Sequence, residues 1–135
     1  MEDNIKKAVA VVIENDKGEI LLTQRGRISR DEYGKWENCG GAVDGDETEE
    51  EAIKREVMEE LGVELEITGI LYEDTFTTDS GASWKVVIFS GKIDSEPKVQ
   101  NKDENEDVQW FRKDNLKNVD LASYTKKDFE KFGWI

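Results

Sequence analysis

Glu56, Glu59 and Glu60 stand three and four residues apart, the spacing that gathers side chains on one face of a helix. On a wheel at 100° per residue, Ile53, Val57 and Leu61 form an apolar stripe. Glu60 falls about 20° from Ile53, and Glu56 about 60° away on the same side. Two of these carboxylates therefore border surface destined for a core, with Glu59 next to them. Like charges at helical spacing cost a few tenths of a kcal/mol per pair, and burial raises that cost steeply. Compensation is expected from Arg55 or from divalent cations. A donor set made only of oxygens selects Mg²⁺, Mn²⁺ or Ca²⁺.

The rest of the composition narrows the chemistry further. No histidine occurs in the 135 residues, which excludes Ser-His-Asp and Cys-His catalysis, HExxH zinc sites and any imidazole base. Cys39 is the single cysteine, so neither an internal disulfide nor a multi-cysteine zinc site is available. With 19 basic against 32 acidic residues the net charge is −13, which repels polynucleotides and anionic membranes. The first residues, Met1-Glu2-Asp3-Asn4, are acidic, and no apolar run approaches the ~18 residues of a membrane span. These features describe a soluble, cytoplasmic protein that meets neither long nucleic acid nor membrane.

Several elements must position the carboxylates. The length suits a single domain over 1–135. The β-branched run Val9, Val11, Val12, Ile13 predicts a buried strand over 5–14, and Asn15-Asp16-Lys17-Gly18 a turn into a second strand over 19–24. Residues 26–38 read as a long polar loop, and Gly40-Gly41 as punctuation before the acidic turn Asp44-Gly45-Asp46. A helix over 49–61 follows: Thr48 and Glu51 form a capping box, Glu49 to Glu51 suit the helix dipole, and Gly62 supplies the stop. Glu49 and Lys54 are expected on its solvated side. Strands are predicted over 63–77, 84–93 and 108–111, a charged loop over 94–106, and a terminal helix over 124–132. The class is α/β or α+β with one mixed sheet.

The segment from Gly41 to Val63 reads GAVDGDETEEEAIKREVMEELGV. Its Gly41, then Glu47, then Arg55-Glu56-Val57-x-Glu59-Glu60-x-Gly62-Val63, resembles the Nudix box position for position. The strand before the loop that ends in Trp36 and Gly40-Gly41, and the EDVQWF stretch at 106–111, extend the resemblance over most of the chain. The resemblance implies a Nudix-type α/β/α sandwich and Mg²⁺- or Mn²⁺-dependent hydrolysis of a nucleoside diphosphate linked to another moiety. It implies Glu56, Glu59 and Glu60 as metal ligands and catalytic residues, joined by the Gly40 carbonyl. It also implies Arg55 and Glu47 as a structural pair, with Gly41 and Gly62 as framework glycines. Glu104, six residues before Trp110, best fits the family's further ligand or base, ahead of Asp107 and Glu106.

Diphosphate cleavage needs positioning and charge neutralisation more than covalent chemistry, so the absence of histidine is no obstacle. The family's usual Leu-Pro or Phe-Pro before the paired glycines is replaced by Asn38-Cys39. Nudix-fold isopentenyl-diphosphate isomerases use a cysteine in a similar place but bind metal through histidines, so Cys39 reads here as a small buried hydrophobe. Around LLTQR the chain keeps part of a coenzyme A diphosphatase signature, broken by Gly26, Asn38 and Cys39. Features expected of ADP-ribose and dinucleoside-polyphosphate hydrolases are missing. By elimination the substrate is a nucleoside triphosphate, as in MutT-like nucleotide-pool sanitising enzymes. The alternatives are coenzyme A or ADP-ribose, or a non-catalytic nucleotide-sensing module. Arg25, Arg27 and Arg30 are candidates to hold substrate phosphates, and Trp36, Tyr33, Phe76 or Trp84 to stack on a base. Phe129, Phe132 and Trp134 read as core or dimer contacts, and the protein as monomer or homodimer.

Overall fold

The apolar run at the start of the chain becomes the spine of a seven-stranded mixed sheet. The computed structural model describes residues 5–29 and 31–135; Arg30, a candidate phosphate contact, and the acidic residues 1–4 lie outside the described residues. Strand β1 (Ile5–Glu14) runs parallel to β6 (Ser83–Lys92) along one edge. Its other edge is shared: β4 (Cys39–Ala42) pairs with Ala8–Val11, and β2 (Glu19–Arg25) with Ile13 and Glu14. The path β3-β2-β1-β6-β5 is completed by β3 (Trp36–Glu37) and β5 (Glu66–Thr77), while β7 (Asn105–Arg112) lies along β2.

Alternation along β1 distributes side chains to two cores. Val9, Val11 and Ile13 face helix α1 (Glu49–Leu61), meeting its buried Ala52, Ile53, Val57 and Leu61. Val12 faces the opposite side, where Leu116 and Phe129 of the C-terminal segment cover Ile20, Leu22 and Ile88. Phe129 belongs to helix α2 (Ser123–Lys131), which follows a 3₁₀ turn at Lys113–Asn118. Helical layers thus cover both faces, the expected mixed-sheet sandwich.

The β1–β2 hairpin turns where the sequence signals it. The Asn15 side-chain oxygen accepts from the amides of Lys17 and Glu19 at 3.0 and 2.9 Å, and Gly18 takes φ +76°. Helix α1 has the predicted bounds and caps. Thr48 Oγ1 accepts from the Glu51 amide at 3.1 Å, the Glu51 carboxylate returns the bond at 2.9 Å, and Gly62 sits at φ +69°.

Other expectations need correction. The 26–38 segment is not loop throughout, because Trp36 and Glu37 pair with Gln24 and Thr23. Gly40-Gly41 is strand rather than punctuation. A Cβ on Gly40 would collide with the Val9 carbonyl, so glycine is what lets β4 approach β1. Strand β7 begins three residues earlier than predicted, at Asn105. Among the described residues no helix is long and apolar enough to cross a membrane.

Candidate active site

Helix α1 crosses the sheet so that its second half looks onto β4. The burial order follows the wheel. Glu56 and Glu60 are half-buried, the Glu56 side chain only 15% exposed, whereas that of Glu59 is 58% exposed. A Cβ at Gly41 would collide with the Glu56 carboxylate, so the glycine opens the space that this side chain fills. Residues after β6 close the helix end. The Gln100 amide donates to the Glu60 carbonyl at 3.1 Å and the Lys98 amide to that of Leu61 at 2.9 Å, satisfying carbonyls that a helix leaves free.

Arg55 is the hub of the surrounding loop. Its Nε donates to Glu47 at 2.6 Å and its Nη2 to the same carboxylate at 3.0 Å, a two-pronged contact. The guanidinium also reaches the Ala42 carbonyl at 3.1 Å and Glu59 at 3.2 Å. The Arg55 bonds, with the Asp44 amide, lower the Glu47 carboxyl from its ordinary value and join the loop after β4 to the helix.

Arg55 also lies 3.7 Å from Glu56, whereas Glu60 has no cationic partner among the described residues. Burial first, then repulsion from Glu56, Glu37 and Glu104, lifts the Glu60 carboxyl to about 8, although the facing Cys39 thiol favours its charged form. Burial likewise lifts Glu56 to about 7, with Arg55 opposing and Glu59, Asp44 and Glu104 adding to the rise. Among the described residues no three carboxylate or thiol side chains converge on one point, since Glu59 turns towards Arg55. The donor set nevertheless suits a hard divalent cation: oxygen ligands on one helix face, beside a glycine strand that leaves them room, with Arg55 only partly offsetting Glu56 and not reaching Glu60.

The structure also draws in residues that sequence reasoning missed. Asn105, buried at the start of β7, donates to the Glu60 carboxylate at 3.4 Å. Glu37 shares the face of Cys39, two residues on along the chain, and its repulsion contributes to raising both Cys39 and Glu60. The period-2 pattern through Glu37 and Cys39 would have revealed this, had the segment been read as strand. Glu104 stands close enough to raise both Glu56 and Glu60.

The substrate candidates are placed less simply. Arg25 donates to Glu37 at 2.9 Å and lies 3.8 Å from Asp31, so its charge is already engaged. Arg27 pairs with Asp103 at 2.7 Å. Trp36 packs with the α2-side core, its ring edge-on to Phe111 at 4.9 Å, and is not gathered with the α1 carboxylates. Tyr33 is exposed and donates to Glu106 at 2.6 Å. Cys39 is buried at 3% exposure, its thiol pushed well above the ordinary range by burial and by Glu60 and Glu56. Glu49 is not merely solvated: it pairs with Lys85 at 3.1 Å.

Comparison with known proteins agrees with this geometry. The NUDIX domain family model matches residues 4–131. The chain is 30% identical over 128 residues to nucleoside triphosphatase NudI of Escherichia coli O139:H28, covering 88% of this chain and 90% of that protein. It is 48% identical to the CTP pyrophosphohydrolase of Escherichia coli strain K12 over 61 residues, which are 45% of this chain and 44% of that one. Among solved structures, a MutT NUDIX hydrolase from Burkholderia pseudomallei superposes with a TM-score of 0.79 at 31% identity, covering 95% of this chain and 98% of the other. A MutT protein from Methanosarcina mazei Go1 gives 0.79 at 29% identity, with 98% and 96% coverage. With the family model spanning nearly the whole described sheet and both helices, the chain belongs to the Nudix family and is a MutT-like Nudix hydrolase.

Proposed function

We propose that this Nudix hydrolase cleaves a nucleoside triphosphate to the monophosphate and pyrophosphate, with Mg²⁺ or Mn²⁺ held by Glu56, Glu59, Glu60, Glu104 and the Gly40 carbonyl. The observation that carries the reading is the pair of half-buried carboxylates, Glu56 and Glu60, raised to about 7 and 8 beside a strand of glycines. Such charge is unfavourable unless a cation or a phosphate-bound cation joins it. Divalent ions at this face would neutralise the phosphate chain and acidify water. The protein's own part is to hold the acidic face rigid through Arg55, Glu47 and Asn105, and to accept the water's proton on a carboxylate, assigned here to Glu104. Arg25 is assigned to the substrate phosphates, which requires it to exchange Glu37 for the incoming anion.

The nucleotide class is supported by relatives described as a nucleoside triphosphatase and a CTP pyrophosphohydrolase. A panel of nucleoside triphosphates, ADP-ribose, coenzyme A and diadenosine polyphosphates, assayed with Mg²⁺, tests the choice. Triphosphates should give the highest kcat/KM by at least about tenfold, a difference of ~1.4 kcal/mol in transition-state binding. A tenfold preference for coenzyme A or ADP-ribose would replace this substrate assignment.

A further inference from the structure

The loop after β2 and the segment leading into β7 are tied together at every accessible level of chemistry. The Gly26 amide donates to the Glu104 carbonyl at 2.8 Å and the Ile28 amide to the Asp103 carbonyl at 3.1 Å. Side chains repeat the pairing, Arg27 with Asp103 at 2.7 Å and Tyr33 with Glu106 at 2.6 Å. Gly26 is buried, and any Cβ there would collide with the Asp103 carbonyl. Here glycine is demanded by close backbone approach, since its φ is not in the left-handed region. Asn105, held between these contacts, donates to Glu60 at 3.4 Å.

We propose that Gly26 and Tyr33 are positioning residues: they clamp 103–106 against the loop after β2 and thereby set where Glu104 stands relative to Glu56 and Glu60. The inference rests on the reading of Glu104 as a site residue. Four contacts fix both flanks of Glu104 while leaving its own carboxylate unengaged by any hydrogen bond among the described residues. A residue meant to meet a cation or a water needs its backbone fixed and its carboxylate free.

The test compares Tyr33→Phe, Glu106→Ala and Gly26→Ala with Glu104→Gln, measuring Mn²⁺ affinity by calorimetry without substrate, and kcat and KM with Mg²⁺. Tyr33→Phe removes one oxygen at an exposed site and should fold normally. It should weaken Mn²⁺ binding about threefold and lower kcat by a similar factor with KM little changed, and Glu106→Ala, which removes the acceptor, should match it. The double variant should lose no more than either single one, because both break the same bond. Gly26→Ala, if folded, should exceed both, by tenfold or more. Arg112→Gln, which breaks the exposed 2.7 Å pair with Asp114 at the far end of β7, should change neither readout. Wild-type Mn²⁺ affinity and kcat in Tyr33→Phe and Glu106→Ala, beside a crippled Glu104→Gln, would overturn the clamp alone. Full activity and affinity in Glu104→Gln would instead overturn the assignment of Glu104, and the clamp with it.

Discussion

Replacing Arg55 by alanine should show what the hub contributes. The guanidinium makes four hydrogen bonds, two to Glu47, one to the Ala42 carbonyl and one to Glu59, and its side chain is 26% exposed. Exposed ion pairs contribute about 0–1 kcal/mol, whereas removing one partner of a buried pair costs about 3–5 kcal/mol. A two-pronged contact between partly exposed groups, 26% and 21% exposed, falls between the two ranges, about 2 kcal/mol. For a chain of this length, an unfolding entropy of about 2.1 cal/mol/K per residue converts that loss to a fall in Tm of about 7 °C. Arg55→Lys keeps the charge but not the fork, and should recover less than half of the loss. Calorimetric melting without divalent ions, repeated at low and high salt, provides the measurement. An Arg55→Ala protein melting within about 2 °C of the parent would refute the assignment of loop-to-helix cohesion to this residue.

Other outcomes are equally specific. Burial lifts the Asp128 carboxyl to about 6, against the opposing effect of Lys131, so its contribution to stability is full below about pH 4 and lost as pH rises through 6. Asp128→Asn should therefore gain on the parent across that window, by about 1 kcal/mol after solvent screening of a half-exposed group; urea titrations at pH 4 and 7.5 giving equal differences would contradict this. The Cys39 thiol should resist alkylation at pH 8 until the protein unfolds, and Cys39→Ala should keep turnover within about tenfold, a thousandfold loss in a folded variant reviving a chemical role. Gly40→Ala should lower stability by more than about 2 kcal/mol, seen as a fall in urea midpoint, because the colliding atoms are backbone rather than flexible side chain.

Legibility from sequence followed the range of the interactions. Helix α1 was readable to the residue because Thr48, Glu51 and Gly62 lie within the helix or at its ends and act locally. The graded burial of Glu60, Glu56 and Glu59 followed from helical period alone. Strands β3 and β4 were not readable, because Trp36-Glu37 and Cys39–Ala42 are strand only through partners on β2 and β1 far away in the chain. The same blindness hid Glu37 and Asn105, and it left Arg25, Trp36 and Glu49 without their actual neighbours, Glu37, Phe111 and Lys85. Glu49 is thus a poor control for the motif glutamates, since its removal breaks an ion pair. Glu50, exposed in the same turn, is the better one.

That the α1 carboxylates cut within a phosphate chain is best tested by phosphorus NMR of a nucleoside triphosphate digested with Mg²⁺ by the parent, Glu60→Gln and Glu50→Gln proteins. The parent and Glu50→Gln should release monophosphate and pyrophosphate together from the first time point. Glu60→Gln should slow this at least about a hundredfold, because one anionic ligand is lost from a site contributing several kcal/mol to the transition state. Orthophosphate and a stable diphosphate as first products, or undiminished turnover in folded Glu60→Gln, would contradict it.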